Sequence, residues 1–409
     1  MEAIYTLRKS AWKGYLVLAF AFMMCVGSTG CGMQDGEKQT ESKVNSVEIS
    51  DDSTVKSDVT KEPVLINVKD SANKIPVTET ELSEIAASEE DEYVRINNNL
   101  EEHCFLHPYK DGYFYAVQKS GTDGPDEVLF YRDSQGQLSE CDDFPDRMYY
   151  IVHSFDDSIY YYDELYVKRW QNGKETDIIK CNVGFTRDFA LTEDYIYYSD
   201  VDEDEDTTYI GRADYEGKER QQLYALDVWV EDICFYQDAV WFTYRDFGND
   251  DLIWKLGKLD ISSGEVDAYE NFQVAGVGAF NGQISINNGF VYFSSPDFKR
   301  LRIKDNTVET IFEGKVEGLN FVDDSILFFK GKKIYRANND GIKNIMTVKN
   351  FDGIGGINVL DDKIYIMTYA GSLHDEIYQI DLKGNIVEKV YEGDWSDELK
   401  EKIKKGETD

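Results

Sequence analysis

Positive charge is scarce in this chain. Against 79 aspartates and glutamates stand 43 lysines and arginines, a formal net charge of −36 over 409 residues. So acidic a surface lacks the clustered cations that hold phosphates, which excludes a nucleic-acid partner. Anionic lipid headgroups are repelled for the same reason. Histidine is rarer still, with four: His103, His107, His153 and His374. His103 and His107 stand four apart, but in a strand-like run, which separates them by about 13 Å. They are not expected to share a metal. Catalytic signatures are missing too, with no Gly-x-Ser-x-Gly elbow and no His-Glu-x-x-His. Gly353-Ile-Gly-Gly356 is followed by strand-like residues rather than a helix, so it reads as a tight turn and not a phosphate cradle. Carboxylates are too abundant for one pair to stand out as acid and base. The chain is therefore expected not to be an enzyme.

Aromatic residues make up 14% of the chain but are absent from Gly32 to Glu92. That stretch is rich in Ser, Thr, Asp, Glu and Lys, and buries too little apolar surface to offset its ordering entropy. Residues 31–92 are expected to form a disordered polar tether. Before it, Arg8, Lys9 and Lys13 precede the apolar run Gly14–Val26, followed by Gly27-Ser-Thr-Gly-Cys31. Residues 1–30 read as an export signal. They resemble a bacterial lipoprotein signal, and the resemblance implies lipidation of Cys31. Two acyl chains suffice for stable membrane attachment. The expected location is the outer face of the bacterial cytoplasmic membrane, with the lipid as the only membrane contact.

From Tyr93 the aromatics arrive in bursts that repeat. Seven phrases share one form: Tyr113-Phe-Tyr115, Ile159-Tyr-Tyr161, Ile196-Tyr-Tyr198, Val240-Trp-Phe242, Val291-Tyr-Phe293, Ile326-Leu-Phe328 and Ile364-Tyr-Ile366. Most follow a turn pair such as Asp111-Gly112 or Asn288-Gly289. Each precedes a second apolar run that ends in a turn, as in Ile334-Tyr-Arg-Ala337 before Asn338 to Gly341. Asp, Asn and Gly supply the positive φ angles that hairpin turns need. The period, roughly 40–45 residues, is that of a four-stranded propeller blade. An inner blade strand is covered on both faces by neighbouring blades, so its sequence need not alternate. The fold class expected is all-β: a β-propeller over residues 93–394 with seven blades, or six if the degenerate fifth unit merges with a neighbour. In Tyr195-Ile-Tyr-Tyr-Ser-Asp200, Ser199 and Asp200 are expected at the strand's exit into a loop.

Residues 195–223, YIYYSDVDEDEDTTYIGRADYEGKERQQL, resemble the YWTD-type propeller of low-density-lipoprotein-receptor-related proteins. Tyr197-Tyr-Ser-Asp200 matches the aromatic-aromatic-Ser-Asp strand, and Ile210-Gly-Arg-Ala213 the following Ile-x-Arg-Ala. Ile334-Tyr-Arg-Ala337 repeats the second part. Across residues 95–394 the chain is similar to bacterial surface lipoproteins of unknown function that carry such propellers. The resemblance implies a fold more than an activity.

The run Asp200-Val-Asp-Glu-Asp-Glu-Asp206 opens like a calcium loop. It lacks the glycine at the sixth place, and Gly211 stands where a bidentate Glu belongs. A solvated loop tip is expected, with Ca2+ held by Asp200, Asp202, Asp204 and Asp206 as the alternative. No other cofactor is expected. Trp170 beside a turn is either a core residue or a platform for a sugar ring. Cys104, Cys141, Cys181 and Cys234 match no zinc spacing, which leaves buried thiols or disulfides. Residues 395–409 carry Trp395, Leu399 and Ile403 at helical spacing and read as a short C-terminal helix and tail. The function expected is that of a monomeric protein- or glycan-binding module of the cell envelope. A secreted carbohydrate-active hydrolase or lyase is the alternative.

Overall fold

The computed structural model describes residues 62–85 and most of 105–392. Cys31, His103, Cys104, Cys141, His374 and residues 395–409 lie outside the described residues. Seven four-stranded antiparallel sheets follow one another along the chain. Blade 1 spans 106–140, blade 2 150–180, blade 3 189–226, blade 4 229–270, blade 5 285–312, blade 6 317–347 and blade 7 353–392. The seven repeat phrases are the seven second strands. Their burial follows from their place: Ile196–Asp202 is buried at six of its seven positions, because neighbouring blades cover both faces. Ser199 and Asp200 are corrected by this placement. Both are fully buried inside the strand rather than at its exit.

Each blade is one continuous stretch, so no strand passes between the chain's first and last blades among the described residues. Side chains close the ring instead. Asn358 Oδ1 of blade 7 accepts from the backbone N–H of Phe105 at 2.9 Å and of Leu106 at 3.2 Å. Further out, Tyr113 packs on Tyr365 and Tyr115 on Tyr391. At the rim Arg132 pairs with Glu388 at 2.5 Å.

Asn358 belongs to a ring of equivalent positions. In each blade the innermost-strand residue opposite the second residue of the repeat phrase is buried: His107, His153, Ala190, Cys234, Ser285, Asn320 and Asn358. Several of these reach the next blade's innermost strand. Asn320 donates to the Ile357 carbonyl and accepts from the Val359 N–H. Cys234 donates to the Ile284 carbonyl, and His153 packs on the Phe189 ring at 4.3 Å. A buried amide pays for its desolvation only when paired. The Asn358→Ala variant removes the acceptor that two buried N–H groups share at the closing seam and is expected to lose about 1–3 kcal/mol. Urea titration measures the loss, and amide exchange at Phe105 and Leu106 should quicken.

Two glycines show how the aromatic phrases fit. Gly211 faces Tyr198 and Gly257 faces Phe242 across the same pair of strands. A Cβ at either would stand 2.4 Å from the ring, so the ring lies flat on bare backbone. The segment Gly353-Ile-Gly-Gly356 is corrected in the same terms. It is not a tight turn but part of the innermost strand Gly353–Leu360 of blade 7, with a bulge between Ile354 and Gly356. Gly353 makes room for the Tyr369 side chain, whose hydroxyl a Cβ would meet at 2.3 Å and whose ring at 2.5 Å.

The expectation of a disordered tether over 31–92 is corrected for residues 62–85. These contain β1 (Val64–Ile66), α1 (Val68–Ser71), β2 (Asn73–Pro76) and β3 (Thr78–Thr80). The strands pair in parallel with the outermost strands of blades 3, 4 and 5 in turn. This strap then meets blade 6, where Ile85 N–H donates to Asn339 Oδ1 at 2.7 Å. Main-chain pairing at a sheet edge needs little apolar side-chain burial. That is why a segment without aromatics is ordered here.

Candidate functional site

The two ends of the ring differ. One end carries the turns between first and second strands and between third and fourth. Lys110, Asp156, Asp157, Gln237, Asp238, Asn288, Asp323 and Asp362 take positive φ in the former, and Gly136, Gly173, Gly217, Gly264 and Gly384 in the latter. Carboxylates here serve their own turns. Asp133 accepts from the N–H of Gln135 and Gln137, Asp214 from Lys218, Asp260 from Ser262 and Ser263, and Asp381 from Lys383 and Asn385. The Ser262 hydroxyl and the neighbouring donors hold the Asp260 carboxyl down at about 2. Much of the acidity at this end is therefore turn chemistry.

The opposite end carries the connections between second and third strands and between blades. In blade 4 the chain takes seven residues to pass from Arg245 to Ile253 here, against two between Tyr236 and Ala239 at the other end, and this is called the longer-loop end. At this end of blade 4 the guanidinium of Arg245 lies 5.0 Å from the Trp229 ring centroid and 4.7 Å from that of Trp254. Strand register puts it there, because Arg245 pairs with Trp229 on one side and follows Tyr244, which pairs with Lys255, on the other. Trp229 donates its indole N–H to Glu231 at 3.1 Å. Lys255 pairs with Asp246 at 3.3 Å. A guanidinium against aromatic faces gains cation–π energy, which helps hold it in place.

Beside it stands the acidic run. Thr208 of blade 3 donates its hydroxyl to the Val228 carbonyl and accepts from the Val230 N–H. That ties the strand following the acidic turn to the residues on either side of Trp229. Asp202 Oδ1 accepts from the N–H of Asp204 and Glu205. Glu205 accepts from the Tyr209 hydroxyl at 2.7 Å, which pushes that phenol up to about 12. The four aspartates of the calcium alternative are not gathered. Asp200 is buried within its strand, with Arg220 at 3.8 Å; Asp204 and Asp206 are exposed on the turn. Among the described residues no three His, Cys, Asp or Glu side chains are grouped to hold a metal.

Trp170 is buried against Tyr109 and Phe114 and is no sugar platform. Cys181 and Cys234 are buried free thiols. His107 and His153 are buried in the inner ring, lowered by desolvation to about 4 and about 3. The Arg245 sandwich escaped the sequence reading because Trp229, Arg245 and Trp254 lie apart in the chain. The signal available was an arginine and two tryptophans at the ends of three successive strands.

No protein-family profile matches the chain, and no curated protein matches it. Solved structures do. A puromycin-hydrolyzing peptidase of Mycobacterium tuberculosis superposes with a TM-score of 0.50 at 8% identity, covering 77% of this chain and 57% of that one. A puromycin hydrolase superposes with a TM-score of 0.51 at 8% identity, covering 78% and 58%. The propeller domain of the Trilobed protease from Pyrococcus furiosus gives 0.46 at 11% identity, covering 71% and 98%. At such identities the likeness establishes the propeller fold. The chain spans under three fifths of the length of the first two, at 57% and 58%. The expectation of a non-enzyme is corrected here. It rested on missing short motifs, and propellers of this fold occur in peptidases.

Proposed function

We propose that this chain is a lipid-anchored extracytoplasmic protein whose propeller is a recognition module for an envelope protein or glycan. Binding takes place on the longer-loop end of blades 3 and 4. The observation that carries the reading is Arg245, held between Trp229 and Trp254 on blade 4, with the exposed Asp204, Glu205 and Asp206 on blade 3 next to it in the ring. Such an end offers an arginine braced by buried rings and, on the adjoining blade, exposed carboxylates, a mixture suited to polar polymers. The opposite end uses many of its carboxylates on its own turns. Lipidation at Cys31 and kinship with propeller-bearing bacterial surface lipoproteins belong to the same proposal, supported by the signal-like start and the residue 195–223 resemblance.

The test screens the immobilised full chain against envelope glycans and peptides, with the Glu205→Lys variant alongside. Saturable binding that the variant weakens supports the module. Turnover of a glycan or peptide would replace it with the hydrolase or lyase alternative.

A further inference from the structure

The strap is held unequally along its length. Its C-terminal part is anchored by the fully buried Arg300, which donates to Ser83 and Glu84 at 3.0–3.1 Å. The buried Ile85 adds its N–H to Asn339 Oδ1 at 2.7 Å. The N-terminal part has less to hold it. Val64 is 53% exposed and Leu65 74%. Asn67, Lys69, Asp70 and Ser71 are exposed and Ile66 is half-buried, so from Val64 to Ser71 only Val68 is buried. Local opening costs least where little apolar surface is buried. The strap therefore opens first at β1 and α1, and tension on the chain ahead of β1 acts on this end first.

That weaker part docks where blades 3 and 4 meet. β1 runs parallel to the outermost strand of blade 3, with Ile66 opposite Leu226. Only Asp227 and Val228 separate Leu226 from Trp229, where blade 4 begins. This connection lies at the longer-loop end and is fixed from two sides. From the strap, the Val68 N–H donates to Asp227 Oδ1 at 2.7 Å. A bond to a carboxylate is about twice as strong as one between neutral groups. The Val68 side chain is fully buried in one cluster with Leu226, Val228, Val230 and Tyr244. From blade 3, Thr208 bonds the Val228 carbonyl and the Val230 N–H. Trp229 thus stands between two valines packed in one cluster with Val68, and two residues from the carboxylate that α1 bonds. Strand register sets Arg245 opposite Trp229, with its guanidinium between the Trp229 and Trp254 rings.

We infer that the N-terminal half of the strap is a latch on the Arg245 site. Asp227 and Val68 are its positioning residues: docked, they hold the blade 3–4 connection so that Trp229 stays against Arg245, and opening of β1 and α1 loosens the Trp229–Arg245–Trp254 stack. The latch couples the chain ahead of the propeller to one end of the ring through a connection of two residues. Its consequence for binding rests on that end of blades 3 and 4 being the recognition surface. Its effect on the stack does not, and can be read without a ligand.

Fluorine NMR of the full chain labelled with fluorotryptophan tests the latch. Each of the six tryptophans gives a resonance, and those of Trp229 and Trp254 are assigned by Trp229→Phe and Trp254→Phe. In Asp227→Ala, and separately in Val68→Ala, the Trp229 and Trp254 resonances should shift together, while that of Trp170, packed on Tyr109 and Phe114, stays in place. The Ser71 amide, which donates to the Asn67 carbonyl within α1, should exchange about tenfold faster, the size of effect expected from one lost bond to a charged group. Asp227→Asn keeps the acceptor and should restore both readouts. A Trp229 resonance unmoved in both alanine variants, a shift of all six resonances alike, or unchanged exchange at Ser71 would each overturn the latch. A photo-crosslinking probe at Glu205 reports on binding separately. An adduct in the parent that Asp227→Ala cuts about tenfold supports control of recognition by the latch, and equal adducts in both overturn that control. No adduct in the parent counts against the recognition reading, and the fluorine result still decides the latch.

Discussion

Unfolding by urea is expected to require about 4 kcal/mol less free energy at pH 5 than at pH 7, from two buried histidines alone. His107 and His153 occupy adjacent blades of the inner ring and are 6% and 1% exposed. Desolvation lowers His107 to about 4 and His153 to about 3. His107 adds to the lowering of His153, and among the described residues no carboxylate offsets the burial of either. Among the described residues neither nitrogen of His153 makes a well-formed hydrogen bond, and a weak contact with the Phe189 backbone offsets only part of the burial.

The sign follows from linkage. In the unfolded chain a histidine takes up its proton near pH 6.5, while in the fold it resists until about pH 4 or 3. The stability is complete above the unfolded value and is lost as pH falls from there toward the folded one. At pH 5 each group has spent about 1.5 units of that window, or about 2 kcal/mol. The depressed carboxylates Asp260 and Asp381 act lower, as pH falls below their unfolded values near 4, so they contribute little between pH 7 and 5. Glu376 is raised by burial and has the opposite sign, its penalty easing as pH falls. In His153→Asn or His107→Gln the pH 7-to-5 loss should shrink by about half. An unchanged loss in both variants would place the proton uptake elsewhere.

The second large effect concerns the strap. The Arg300→Ala variant is expected to lose about 3–5 kcal/mol, because it leaves a buried carboxylate short of its partner. Arg300 and Glu309 are both fully buried and pair at 2.8 Å. Arg300 also donates to the Ser83 carbonyl, the Ser83 hydroxyl and the Glu84 carbonyl of the strap. Its guanidinium lies 4.0 Å from the Phe290 ring centroid. Burial pushes the Glu309 carboxyl up, but hydrogen bonds from Ser83 and Arg300 outweigh it and hold it below its ordinary range. Arg302 supplies a further charged contact to Glu309. The double variant Arg300→Met/Glu309→Met removes both charges and should regain much of the loss. Limited proteolysis should cut near Ser83 faster in both variants, since both lose the strap's anchor. An Arg300→Ala protein as stable and protease-resistant as the parent would contradict this account of the strap.

The aromatic phrases were legible in sequence because they lie where two neighbouring blades press on one strand. Burial on both faces forces an unbroken apolar run, and such a run repeats visibly. The strap left no such trace. Val64 and Leu65 are exposed on it, and β3 exposes all three of its residues, so its composition is that of a solvated chain and its order comes from main-chain pairing. Asp200 looked like a loop residue because aspartate usually is one. Tertiary context buries it beside Arg220 instead. The inner ring was opaque for another reason: His, Ala, Cys, Ser and Asn share a position but no chemistry, and only strand register lines them up. The Arg245 sandwich likewise exists only once three strands are paired.

The central claim is that recognition belongs to the longer-loop end of blades 3 and 4. Photo-crosslinking in the native envelope, with one probe at Glu205 and one at Lys383 on the opposite end, tests it most directly. The account predicts a discrete adduct to an envelope protein or glycan from Glu205, diminished by Arg245→Ala, and none from Lys383. Equal adducts from both ends, or an adduct from Lys383 alone, would contradict it.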